Sequence, residues 1–230
     1  MMTFYIVWPI AQIINLVMFS TAYENRRKLH GFRRAVLVSN HTTFLDPVKI
    51  CGAMLPRRTW QTLLEETAEA PIVGTLTRLL GGVPLPSGRS GLHRILDTAD
   101  TIFRYRRFLH FYPEGECYLY SQEIRAFRPG AFFIAAELNL PVIPLVTVFS
   151  QGPFKPHSLL GRCLPREKLV VMDPVYPKDY IRRNERGEPD MDSIREFAEA
   201  VRKLMQKEII SRSGSSAFYH GRLKRIKGIN

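Results

Sequence analysis

The chain has 230 residues, with 33 Lys and Arg against 21 Asp and Glu for a formal charge of +12, and is 45% hydrophobic. That length and balance suit one folded domain with a small appendage, and they exclude disorder and collagen-like repeats. Apolar residues are spread too evenly for many membrane spans. Cys51, Cys117 and Cys163 lack CxxC or metal-finger spacing, which argues against a disulfide scaffold and for a reducing compartment.

In chain order, Met1 to Ser20 carries no charge and is just long enough for a helical span of about 20 residues. Pro9, Gln12 and Asn15 interrupt it, so a helix lying in the membrane interface is an equal expectation. Arg26, Arg27, Lys28, Arg33 and Arg34 follow, and Arg222, Lys224, Arg225 and Lys227 repeat the theme near the other end. Cations flanking an apolar segment attract anionic head groups and mark the cytoplasmic face of a membrane. Residues 1–30 are therefore expected to be a membrane-associating helix with a basic flank, and residues 31–230 the folded domain.

The body alternates. Ala35–Ser39 reads as a strand, Pro47–Leu55 as a short helix, Trp60–Leu64 as a strand and Ala70–Leu80 as a helix. Val83–Leu85 is a short strand, Leu92–Arg106 has helical apolar spacing, and Phe108–Tyr112 is a strand stopped by Pro113. Gly130–Leu138 is a helix, Val142–Phe149 and Leu169–Met172 are strands, and Ser193–Ile210 is an amphipathic helix. The alternation predicts an α/β fold with a mainly parallel sheet flanked by helices. Gln151–Lys168 and Asn184–Pro189, rich in Gly, Pro and charge, are the expected flexible stretches.

Three polar loops follow three of the strands: SNHTTFLDP after Ala35–Ser39, PSGRSG after Val83–Leu85, and PEGE after Phe108–Tyr112. Ligands of open α/β sheets bind beyond the carboxyl ends of the strands, so these loops are the candidate site. His41 and Asp46 are five positions apart, a spacing that splays side chains on a helix, so they meet only across a turn. In one reading Asp46 caps the helix that Pro47 opens and His41 is an ordinary loop residue. In the other, Asp46 orients His41 as a general base for a hydroxyl. GxSxG, HExxH, Walker A and GxGxxG signatures are absent from the sequence.

These residues resemble the glycerolipid acyltransferases of the 1-acylglycerol-3-phosphate acyltransferase type. NHTTFLD resembles the family's NHxxxxD block, GGVPLPSGR a degenerate second block, YPEGE the third, and LPVIPL the fourth, all in the family's order. Phe127-Arg128-Pro129-Gly130 is similar to its F-[KR]-x-G element. The resemblance implies a glycerol-3-phosphate acyltransferase-like fold and an O-acyltransferase that needs no cofactor. It makes His41 the base and Asp46 its orienting partner. Asn40, Arg89, Glu114, Gly115 and Arg128 become acceptor-side residues, and Pro141 and Pro144 shape the acyl side. The implied partners are acyl-carrier protein or acyl-CoA as donor, a lysophospholipid acceptor and an anionic membrane surface.

Two departures bear on the acceptor. Ser87 stands where the second block carries its arginine, and Glu116 and Cys117 stand where the third block continues with Thr and Arg. Arg89, Arg125 and Arg128 are the candidate replacements, because guanidinium binds phosphate by paired hydrogen bonds. The excess of positive charge also fits a nucleic-acid-binding protein. No RRM, KH or helix-turn-helix signature accompanies it, and nucleic acid is not the expected partner.

Overall fold

The structure is a computed structural model that describes residues 21–55, 59–64, 81–85, 108–150 and 165–219, with isolated positions elsewhere. Seven strands form one sheet: β1 (Ala22–Glu24), β2 (Ala35–Ser39), β3 (Thr59–Leu64), β4 (Gly82–Leu85), β5 (Phe108–Phe111), β6 (Val142–Ser150) and β7 (Arg166–Val171). Their order is β1-β7-β6-β2-β5-β3-β4. Neighbours from β6 to β4 are parallel, whereas β7 runs antiparallel to β6 and β1 parallel to β7. The sheet is thus mainly parallel, as the alternation predicts, with its β1–β7 edge reversed.

All five residues of β2 are buried because the sheet is covered on both faces, which is why that strand reads as an unbroken apolar run. Side chains alternate across a pleated strand. Val36 and Val38 join a core with α2 (Gly130–Glu137) and α3 (Met191–Ser211), where Phe132, Phe197 and Val201 pack. Ala35 and Leu37 join the opposite core with Ile50, Ala53 and Met54 of α1 (Asp46–Met54). The Asp190 carboxylate caps α3 by accepting from the Ser193 N–H at 3.0 Å. The described residues between 70 and 80 and between 92 and 106 are helical, within the expected spans Ala70–Leu80 and Leu92–Arg106.

Two expectations change. Residues 22–29 belong to the α/β fold, since Ala22 pairs with Lys168 and Leu29 is buried, so residue 30 marks no break in it. Asn184–Pro189 is a closed turn, in which the Asn184 side-chain oxygen accepts the N–H groups of Arg186 and Glu188. The apolar segment of residues 1–20 lies almost wholly outside the described residues. Among the described residues, no helix is long and apolar enough to cross a membrane.

Candidate active site

The turn between β2 and α1 brings His41 and Asp46 together. His41 Nδ1 lies 2.7 Å from Asp46 Oδ2. Asp46 is the first residue of α1, but its carboxylate turns backwards rather than capping the helix. Oδ2 accepts the N–H groups of Thr42 (2.6 Å) and Thr43 (2.9 Å), and Oδ1 accepts the Thr43 hydroxyl at 2.8 Å. Lys49, one helical turn further on, donates to Oδ1 at 2.5 Å. One carboxylate therefore folds the whole loop around itself. Burial opposes its ionised form, but Lys49 and His41 outweigh burial and hold its pKa well below the usual range.

His41 is fixed from three more directions. Its N–H donates to Glu114 Oε1 (3.1 Å), its carbonyl accepts from Tyr118 N–H (2.9 Å), and its ring stacks on Tyr112 at 4.1 Å between centroids. The side chain keeps 16% exposure, in contrast to the 4% of Asp46. Burial disfavours charge on the ring, but Cys117 and Asp46 beside it prevail and push its pKa up to about 10. Beneath it, His110 shares a 2.9 Å hydrogen bond with Ser39 Oγ. Burial, reinforced by His41, pushes the His110 pKa down to about 3, so that imidazole is neutral.

The loop after β5 supplies the other wall. Glu114 Oε1 holds the His41 N–H and Oε2 the Arg125 N–H at 2.9 Å, so this carboxylate ties two loops together. Burial raises its pKa to about 7 despite those two bonds. Gly115 has φ +71°, and a Cβ there would meet Arg128 Nε at 2.5 Å. Only glycine permits both that backbone and the guanidinium lying over it. Arg125 instead pairs with Glu123 at 3.0 Å and lies over the Tyr118 ring.

A half-buried, oriented imidazole beside an arginine-covered glycine loop can take and return a proton, and the relatives of the chain sharpen that description. The family model described as acyltransferase matches residues 20–148, more than half of the chain. The chain belongs to the acyltransferase family. A human protein named 1-acyl-sn-glycerol-3-phosphate acyltransferase beta is 29% identical over 122 residues, covering 52% of this chain and 43% of its own length. The Saccharomyces cerevisiae 1-acyl-sn-glycerol-3-phosphate acyltransferase is 24% identical over 177 residues, covering 74% and 54%. The chain thus spans about half the length of the curated relatives it matches. The crystal structure of the 1-acyl-sn-glycerophosphate (LPA) acyltransferase from Thermotoga maritima aligns with a TM-score of 0.61 over 93% of this chain and 81% of that one. At 19% identity, that is a likeness of fold.

Within this acyltransferase-family chain, the sequence-derived residues do not all converge. His41, Asp46, Glu114, Gly115 and Arg128 share one rim of the sheet. Asn40 is turned inward: its Oδ1 accepts Thr147 N–H (2.9 Å) and its Nδ2 donates to Thr147 O (3.2 Å). With both ends of the amide spent on β6, it latches the loop to the sheet and is not placed as a substrate ligand. Pro141 precedes β6 at the opposite edge, beside Arg33, Arg34 and Tyr176, and Pro144 lies inside the sheet opposite Val38. Arg89 lies outside the described residues.

Cys117 and Glu116 stood out in the sequence only as departures from the third block, and Lys49, also part of this acyltransferase-family site, escaped sequence reasoning. Cys117 is buried beside His41, and Glu116 accepts the Tyr118 hydroxyl at 3.1 Å. Lys49 is 1% exposed and pairs with Glu167 as well as Asp46. Its signal was a lone cation three residues after Asp46 in an otherwise apolar helix.

Proposed function

We propose that the protein transfers a fatty acyl group from a thioester donor, acyl-carrier protein or acyl-CoA, to the free hydroxyl of a lysophospholipid. The acceptor that fits best is 1-acylglycerol-3-phosphate, giving phosphatidate. The observation that carries this is the 2.7 Å bond between His41 Nδ1 and Asp46 Oδ2. It commits one ring nitrogen to the carboxylate and leaves Nε2 as the base. Nε2 takes the acceptor hydroxyl proton as the oxygen attacks the thioester carbonyl. The tetrahedral intermediate then expels the thiolate, which recovers that proton from the imidazolium. Asp46 keeps the ring in one tautomer and stabilises its charged form, the role of the carboxylate in any base–orienter pair. No protein nucleophile and no cofactor is required.

Arg128, laid over Gly115, is a cation available to an acceptor phosphate at this rim. Phe44, 62% exposed in the same loop as His41, offers an apolar contact to a lipid. The reading places the protein on the cytoplasmic face of the cell membrane. Residues 1–20 and the basic flank contact anionic lipid there, and nucleic acid plays no part. Glu116 and Cys117, in place of the family's Thr and Arg, favour a second reading in which a lysolipid with another head group is acylated by the same chemistry. Turnover of lysophosphatidate against other lysolipids, with each thioester donor, tests both. No transfer to any lysolipid defeats the proposal.

A pH profile checks the base directly. The raised pKa of His41 means kcat/KM climbs with pH above 7 as the ring loses its proton. Cys117 raises that pKa, so Cys117→Ser is expected to move the acid limb to lower pH.

A further inference from the structure

We infer that Lys49 and Glu167 are positioning residues that set the basicity of His41 through Asp46; the inference rests on the proposed role of His41. Four side chains form a continuous relay behind the ring. His41 Nδ1 meets Asp46 Oδ2 at 2.7 Å, Asp46 Oδ1 meets Lys49 Nζ at 2.5 Å, Lys49 Nζ meets Glu167 Oε2 at 2.7 Å, and Thr21 Oγ1 donates to Glu167 Oε1 at 2.9 Å. Lys49 is 1% exposed, and Asp46 and Glu167 are buried as well. Charges so buried are screened by salt much less than exposed ones, so each acts on its neighbours along the relay.

The geometry fixes what the relay does. Asp46 presents different oxygens to the imidazole and the ammonium, so Lys49 holds the carboxylate at the angle that Nδ1 requires. Lys49 also withdraws negative potential from the ring, while Glu167 restores part of it by neutralising Lys49. The two act on His41 with opposite sign. Lys49 comes from α1 and Glu167 from the reversed strand β7, so the pair also pins α1 to that strand. A structural strut alone would be served as well by apolar side chains of similar volume, which are often neutral or stabilising in place of a buried ion pair.

Other ionisable groups face the cluster. Glu114, Cys117 and His110 surround His41, and Tyr112 faces Asp46. Tyr23 and Tyr120 face the Lys49–Glu167 pair, and Cys51 lies close enough to act on Tyr23. All of these are retained when the relay alone is altered.

The test is an NMR pH titration of the His41 ring, assigned by its disappearance in His41→Ala, in the full chain and in the variants Lys49→Gln and Glu167→Gln. Removing the cation is expected to raise the His41 pKa by on the order of one unit, and removing the anion to lower it. A ring that titrates alike in all three, or moves the same way in both variants, overturns the relay. Should Lys49→Gln not fold, Glu167→Gln decides alone: a downward shift supports the relay, and an unchanged or upward one overturns it. The acid limb of kcat/KM then separates the two claims. If the ring titration moves as expected and the acid limb does not follow, the relay stands and the general-base reading of His41 fails.

Discussion

His41→Ala is expected to lower kcat by at least ~10²–10⁴, the usual contribution of a positioned general base. The loss is chemical and not architectural, because the contacts of this residue with the fold are largely made by its backbone. The His41 N–H still reaches Glu114, and its carbonyl still accepts from Tyr118. Asp46 retains the N–H groups of Thr42 and Thr43 and the Lys49 ammonium, so the turn keeps its organiser. What disappears is the nitrogen proposed to accept the hydroxyl proton, together with the face stacked on Tyr112. Steady-state rates beside a thermal melt provide the check: a variant that melts normally and turns over like the parent would remove His41 from the chemistry.

Lys49→Ala is expected to be the most damaging single change for stability. It takes the common cation away from two buried carboxylates and leaves a cavity where its aliphatic stem lay. Breaking a buried ion pair from one side costs about 3–5 kcal/mol, which in a domain of this size lowers Tm by roughly 6–20 °C. The effect also has a pH signature. A lowered carboxylate pKa contributes stability above the ordinary range near about pH 4 that is lost as pH falls through the native value. Lys49 is a principal reason that Asp46 is lowered, so without it acid unfolding begins at higher pH. Melts of both proteins across pH 3 to pH 8 show the difference, and parallel curves would disprove it.

Much of the fold was legible because its strands are buried on both faces and its helices carry one apolar stripe. The reading of Ala35–Ser39 matches β2 residue for residue, and the reading of Ser193–Ile210 falls within α3. The reversed edge was not legible. β1 has only three residues and lies inside a charged stretch, and the orientation of β7 depends on its route back from β6, which no local pattern encodes. The site divides in the same way. His41 and Asp46 stand close in sequence, and the proline after Asp46 announces a turn. Lys49 and Glu167 lie 118 positions apart, so their pairing is a product of topology. Asn40 shows the converse. A polar residue beside a base looks like a ligand until its amide is found spent on the backbone of Thr147.

The reversal of β1 and β7 also decides at which edge of the sheet the chain enters. Because these two strands run against the rest, β1 begins at the sheet edge where β2 ends, and Thr21 enters the fold a few side chains from the imidazole. On the membrane-bound arrangement proposed above, a segment upstream of residue 21 held in lipid would bring this rim forward and leave the cleft around Arg33 and Arg34 at the rear. Under that same proposal, an amphiphile diffusing in two dimensions would meet His41 without having to leave its plane.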